Sequence, residues 1–181
     1  ESLTGSGTVI GSVSMVASSK IFAGTDGGIG TLTFNNNLNF ASGAFCYFDL
    51  SSSATGANDE IILNGASSFL GCSGASIGVK CGAALDQNDY TLFNVTGPSS
   101  GIIGSFQSSP VWTGTVPANA AKYSIITAGN QVLLHYNTGT TNPPTVANLA
   151  ATAIKSTSAT LNGQVLSTGG ELPTVRVYYG T

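Results

Sequence analysis

Apolar and polar residues alternate with a period of two along most of this chain. In TLTFNNNLNF, Leu32 and Phe34 alternate with Thr33 and Asn35, and Leu38 and Phe40 flank Asn39. A half-buried β-strand gives this pattern, because successive side chains point to opposite faces of a sheet. The same pattern predicts strands over 8–16, 44–50, 60–63, 90–95, 123–127 and 131–136. GTDGGIG, NNN, SSSATGAND, TGPSSG and AGN separate them, with the Gly, Asn and Ser content of turns. Only ANAAKY, near Ala118, suits a helix, and it is too short to stand alone. The class is all-β.

The strands recur. GTVI at Gly7 returns as GTLT at Gly30, and Val13-Ser14-Met15 returns as Leu38-Asn39-Phe40, offsets of 23 and 25 residues. One coil of a β-solenoid takes on the order of 20 residues and stacks on the coil before it. Asn-rich turns such as 35–37 suit such stacking, since Asn tolerates left-handed backbone and its amides form ladders. The same alternation also fits a β-sandwich, and the repeat offset favours the solenoid. The texture changes after Tyr136: residues 137–145 form a Pro-containing linker, stiffened by Pro143 and Pro144. VANLAATAI, SATLNGQVLSTGG and LPTVRVYYGT then read as three strands, with Leu161, Val165, Val175 and Val177 on the inward face. The expected division is a β-solenoid over 1–136, the linker, and an incomplete sandwich over 146–181.

Composition narrows the partners. Charged residues make up 7% of the chain, against about 25% in an ordinary globular protein. The net charge is −3, with five Lys and Arg in all. A nucleic-acid partner needs a clustered basic face, and an anionic membrane surface needs the same. No apolar run reaches the length of about 20 residues that a membrane helix needs. The opening ESLTGSGTVI has neither a basic start nor an apolar h-region, so an exported chain is expected in processed form. A surface of Ser, Thr, Asn and Gly suits work outside the cell, and the expected location is secreted or at the cell surface.

Two stretches resemble known families. GSGTVIGSVSM, GIGTLTFNNNLNF, NDEIILNG, NDYTLFNVTGPSSGIIGSF and AAKYSIITAGNQVLLHY, within residues 1–136, resemble the C-terminal coils of the autotransporter-associated β-strand repeat of large secreted bacterial proteins. STSATLNGQVLSTGGELPTVRVYYGT resembles the first strands of a fibronectin type III-like or immunoglobulin-like domain. The first resemblance implies a right-handed parallel β-helix whose last hairpins close the coil. The second implies a β-sandwich, of which about three of about seven strands are present. Neither brings a catalytic residue or a cofactor.

Candidate chemistry is sparse. The acids Asp26, Asp49, Asp59, Glu60, Asp86, Asp89 and Glu171 are scattered, and Lys80 and Arg176 lie in different regions. Asp59 and Glu60 are adjacent, so in a strand they face opposite ways and cannot form a glycosidase pair. His135 lacks a motif nucleophile or orienting acid. GTDGGIG lacks the GK[ST] ending of a phosphate loop. DQND and AND read as turns before calcium ligands. Cys46 reads as a buried thiol, whereas Cys72 and Cys81 flank a Gly-containing stretch and are spaced to bridge neighbouring strands. Asn94-Val95-Thr96 is a glycosylation sequon by pattern, within a predicted strand. Phe45 and Tyr47 share one face of their strand and Phe48 takes the other, so they read as core or as a sugar platform. Trp112 is expected under the loop that closes the coil.

No enzyme activity, metal or cofactor is expected. The leading expectation is an extracellular structural protein, a filament or surface-stalk subunit that assembles with copies of itself through strand edges. Leu161, Val165, Val175, Val177 and Tyr179 are the expected assembly contacts. The alternative is an adhesin or carbohydrate-binding passenger that meets a cell-surface or environmental polysaccharide, and an exposed aromatic row would favour it.

Overall fold

The computed structural model describes residues 1–82, 84–139, 145–168 and 176. The chain divides into two units, Glu1–Asn137 and Thr138–Thr181. Among the described residues it is all-β, with no α-helix and one 3₁₀ turn at Ala120–Lys122.

The strands of the first unit come in triplets. The first is β1 (Ser2–Gly5), β2 (Gly7–Val9) and β3 (Val13–Met15), and the second is β4 (Lys20–Ala23), β5 (Thr31–Phe34) and β6 (Leu38–Phe40). The third is β7 (Phe45–Leu50), β8 (Glu60–Leu63) and β9 (Phe69–Ser73), and the fourth is β10 (Ser76–Cys81), β11 (Tyr90–Val95) and β12 (Gly101–Ser105). After β13 (Val111–Gly114) the pattern breaks into a hairpin, β14 (Tyr123–Ala128) and β15 (Gln131–Tyr136). Each sheet takes every third strand: β1-β4-β7-β10-β13 in the first, β2-β5-β8-β11 in the second, β3-β6-β9-β12 in the third. All of these pairings are parallel, not the antiparallel pairings of a sandwich.

Register turns the alternation into columns. Ile21, Cys46 and Ile77 pair in sequence across the first sheet. Leu32, Ile61 and Phe93 do so across the second, and Leu38, Leu70 and Ile102 across the third. These inward columns meet in one apolar core. Parallel strands covered on one side by such a core are stabilised by burial, at roughly 25 cal/mol per Å² of apolar surface.

The links between sheets differ in tolerance. From the first sheet to the second the chain uses Ser6 alone, then 24–30, 51–59 and 82–89, whereas every other link from β2 to β13 takes two to five residues. The corner between the second and third sheets is stitched by backbone hydrogen bonds. Asn35 N–H donates to the Val9 carbonyl, Asn64 N–H to that of Phe34 and Thr96 N–H to that of Leu63, at 2.9, 3.0 and 2.8 Å. The corners therefore stack directly. A Cβ on Gly65 would collide with the Asn35 carbonyl, and one on Gly97 with the Gly65 carbonyl. Asn37 also ties one triplet to the next, its Oδ1 accepting from Phe69 N–H at 2.9 Å.

The far edge of β11 is covered by β15 in antiparallel sense, and β14 pairs with β15. Above the core at that end sits an aromatic cluster. The Tyr123 ring meets Trp112 at 6.0 Å, Tyr136 at 5.1 Å and Tyr90 at 6.5 Å, all edge-on, and its hydroxyl donates to the Asp86 carbonyl. Trp112 thus packs beneath the closing hairpin.

The second unit shows an antiparallel hairpin, β16 (Thr145–Thr152) and β17 (Thr160–Ser167), with irregular register near Val146 and between Leu149 and Thr152. Leu161 and Val165, expected to face inward, are 50% and 37% exposed. A two-stranded sheet has no second layer to bury a face against. Val175, Val177 and Tyr179 lie outside the described residues, as does most of the expected third strand.

Replacing Gly97 with Ala should lower the urea midpoint of the chain by about 1–3 kcal/mol equivalent, because backbone must move to admit the methyl. Gly11→Ala, where a Cβ would meet nothing within 4 Å, should leave the midpoint unchanged within about 0.5 kcal/mol.

Candidate functional site on the outer face of the first sheet

The alternation that buries Ile21, Cys46, Phe48 and Ile77 turns their neighbours outward. Register aligns these into columns: Ser2, Lys20, Phe45 and Ser76 in one, Thr4, Phe22, Tyr47, Gly78 and Val111 in the next, Asp49, Lys80 and Thr113 in a third. The middle of this face is aromatic. Phe22 stacks on Tyr47 with ring centroids 4.8 Å apart and planes 11° apart, and Phe45 lies 5.9 Å from Tyr47 at 13°. All three rings are half-buried. Tyr47 leans over the Gly78 backbone, where a Cβ would strike its ring. Burial raises the Tyr47 phenol above its ordinary pKa.

The link 24–30 folds against the neighbouring column. A tight turn closes it, with Thr25 and Gly28 exchanging backbone hydrogen bonds at 3.1 and 2.9 Å. Asp49 Oδ2 accepts from Gly27 N–H at 2.7 Å, and Lys80 Nζ bonds Asp26 Oδ1 at 2.7 Å. The hydrogen bond to Asp26 raises the Lys80 pKa. Between this link and the strands runs an open groove of about 370 Å³, lined by Gly27, Ile29, Asp49, Lys80 and Thr115 among others. Acids that are scattered in the sequence thus meet a lysine here. Only the register of β7 against β10, which sets Asp49 beside Lys80, brings them together.

Asp59 lies behind that face and is 1% exposed. Its two carboxylate oxygens accept from Gly30 N–H at 2.6 Å and Asp49 N–H at 2.7 Å. It therefore clamps the link 24–30 to β7. Burial raises its pKa to about 6, against the opposing pull of the Asp49 and Gly30 N–H groups, with the Asp49 charge adding to the rise. Both oxygens are engaged, which makes Asp59 a structural acid. Glu60 beside it points the other way and is half-exposed.

The remaining candidates disperse. His135 Nδ1 stands 2.9 Å from Asp89 Oδ1, which also accepts from Tyr136 N–H at 2.8 Å, so this pair pins the start of β11 to β15. Asn58 closes its own turn, accepting from Ser51 N–H at 2.8 Å and donating to the Ser53 carbonyl at 3.0 Å. Asp86 accepts from Ala54 N–H at 3.0 Å, tying together two successive links. Among the described residues, no three His, Cys, Asp or Glu stand together as a metal site. Asn94 lies inside β11, between β8 and β15. Glu171 lies outside the described residues, and Arg176 is exposed.

The Cys72–Cys81 bridge read from the sequence is not formed: Cys46, Cys72 and Cys81 are all free and buried. Cys72 belongs to the third sheet and Cys81 to the first, and each fills its own inward column. Burial raises all three thiols, Cys72 to about 12 and Cys46 well above the ordinary value with help from Asp59 and Cys72. Neutral, water-excluded thiols are poor nucleophiles.

No family model, curated protein or solved structure matches this chain.

Asp59 gives the fold a pH dependence with a definite sign. Its folded pKa, about 6, lies above the ordinary 3.8, so the folded state binds more protons between those values. Stability is greatest below about pH 4 and falls as pH rises to about 6, by up to roughly 3 kcal/mol from this group. Urea unfolding at pH 4 and pH 7 should show the fall. Asp59→Asn should reduce it, at the cost of a lower overall midpoint because one N–H loses its acceptor.

Proposed function

We propose that the first unit is a right-handed parallel β-helix and that the chain is a non-catalytic structural segment of an extracellular surface protein, a stalk built by stacking coils. The observation that supports this reading is the pairing of every third strand, in parallel, around one core. Each strand triplet is then one coil, and the three sheets are the faces of the helix. The resemblance of residues 1–136 to the autotransporter-associated repeat leads to the same architecture. The weakly charged Ser, Thr, Asn and Gly surface suits an extracellular setting, and the tight hydrogen bonding of Asp59, Asp86 and Asp89 gives these acids structural work in place of catalysis.

Strand edges are the means of assembly in this reading. β1, β2 and β3 are each paired on one side, and Leu3, Val9 and Val13 beside them remain half-buried. Such an edge is a template for a further strand. At the other end the hairpin β14–β15 and the cluster around Tyr123 cover the core. Between filament and stalk, the covered end favours the stalk, since unlimited stacking needs both ends open.

Sedimentation of the intact chain across a wide concentration range tests this directly. Self-association that stops at small oligomers and is lost in Val9→Lys is the expected result. Unlimited fibres under the electron microscope would remove the stalk version. A strictly monomeric chain at millimolar concentration would remove edge assembly.

A further inference from the structure

We propose that residues 25–29 form a flap hinged on the touching glycines Gly24 and Gly30, and that a proton on Asp59 holds this flap shut along the groove it borders while loss of the proton releases it. This goes beyond a structural role, which needs no moving part.

The link 24–30 is built as a flap. Gly24 and Gly30 meet at its neck: a Cβ on Gly24 would lie 2.9 Å from the Gly30 nitrogen, and one on Gly30 would lie 2.6 Å from the Gly24 Cα. Gly24 holds φ at +80°, which residues with a side chain rarely adopt. The neck is tied to its surroundings, Gly24 N–H donating to the Gly5 carbonyl at 2.9 Å and Glu60 N–H to the Gly30 carbonyl at 3.2 Å. Beyond the neck, Thr25 and Gly28 bond to each other, so the tip keeps its shape without the strands. Side chains tether the tip: Asp49 on Gly27 N–H, and Lys80 on Asp26 in an exposed pair of little strength. Ile29, the large apolar side chain of the flap, is 46% exposed, so burial adds little to the shut position. A segment held in this way opens at lower cost than the strands beneath it.

Asp59 fastens the neck from inside. Its Oδ1 accepts from Gly30 N–H and its Oδ2 from Asp49 N–H. Swinging the flap outward parts Gly30 from Asp59 and lets water reach the carboxylate. The groups around it do not favour its charge while the flap is shut. Asp49 of β7 adds a second negative charge, Asp26 of the flap and Lys80 of β10 neutralise each other, and the Cys46 thiol of β7 is uncharged. Glu60, its neighbour at the start of β8, points the other way. The groove that the flap borders is lined also by Leu50 and Cys81, both buried.

The sign follows from where the carboxylate sits. Shut, the ionised group is out of water beside a like charge; open, it is hydrated. The shut flap therefore binds the proton more tightly than the open one, with an acid constant near pH 6 against the ordinary 3.8. Acid holds the flap shut. Between pH 4 and pH 7 the balance moves toward the open flap by about 100-fold, the two-unit difference in proton affinity.

The test is amide hydrogen exchange of the intact chain, followed by NMR at pH 4 and pH 7, each rate divided by that of an unstructured peptide at the same pH. The amides of Gly27 and Gly30 should be less protected than those of β5, β8 and β11 at pH 7, and should gain protection by about 100-fold at pH 4. Asp59→Asn, which cannot ionise, should remove that pH dependence. Gly30→Ala, which wedges the neck, should lower protection of the flap at both pH values. At one fixed pH it should also speed the reaction of Cys81 with iodoacetamide while Cys46 and Cys72 stay slow. Should Asp59→Asn not fold, the Asp59 carboxyl carbon is titrated by NMR in the native chain and in Gly30→Ala, where the midpoint should fall. The proposal is overturned if the flap amides are protected as well as the strands at both pH values, since the link then opens only when the whole fold does. It is also overturned if protection is higher at pH 7 than at pH 4, if Asp59→Asn keeps the pH dependence, or if the midpoint is the same in Gly30→Ala. These readouts concern the link within one chain and stand apart from the test of assembly through the β1–β3 edge.

Discussion

The backbone ladder between every third strand governs this structure. A strand of three to six residues cannot hold itself, and its N–H and C=O groups need partners on a neighbour. Here those partners come from the strand three positions earlier and three positions later in the chain. Once Val13 pairs with Leu38 and Leu38 with Leu70, each side chain's place is set to within one column. The core, the stacked corners and the outer face all follow from that pairing.

Two kinds of polar group reinforce the ladder where it turns. Asn37 and Asp59 each reach from one segment to the backbone of another, and Gly65 and Gly97 allow corners to approach more closely than any side chain permits. The buried acid and the stacked glycines answer different problems. Asp59 satisfies two N–H groups, of Gly30 and Asp49, that the strands leave over. The glycines remove atoms where carbonyls already fill the space. An acid in such a place carries its burial as a raised pKa, so the same residue that fastens the link 24–30 also ties the fold to pH.

Part of this was legible in the sequence. The likeness of Val13-Ser14-Met15 to Leu38-Asn39-Phe40 coincides with the true register, because both segments bury the same pair of positions. The likeness of GTVI to GTLT does not: Gly7 pairs with Leu32, two residues past Gly30, since shared glycines mark turns of different length. Residues 8–16 read as one strand but form β2 and β3, because alternation continues through the bend at 10–12 and hides it. β1, β4, β9, β10, β12 and β13 were missed, their apolar runs short and, outside β4, diluted by Gly and Ser. Phe22 went with them. Its signal was present in KIFA, where Ile21 and Ala23 alternate with Lys20 and Phe22, but its partnership with Tyr47 depends on register. The meeting of Asp26 with Lys80, separated by 54 residues, had no local signal at all.

The links from the first sheet to the second absorb nearly all variation in chain length between successive triplets, from a single serine to the nine residues of 51–59. Girth and pitch are therefore uncoupled: residues added at this corner widen the cross-section and leave the ladder spacing untouched. A peptide grafted between β7 and β8 would project sideways from an unaltered scaffold. Grafts repeated in successive triplets would stand in single file about 4.8 Å apart, a molecular ruler whose graduations are the strands themselves.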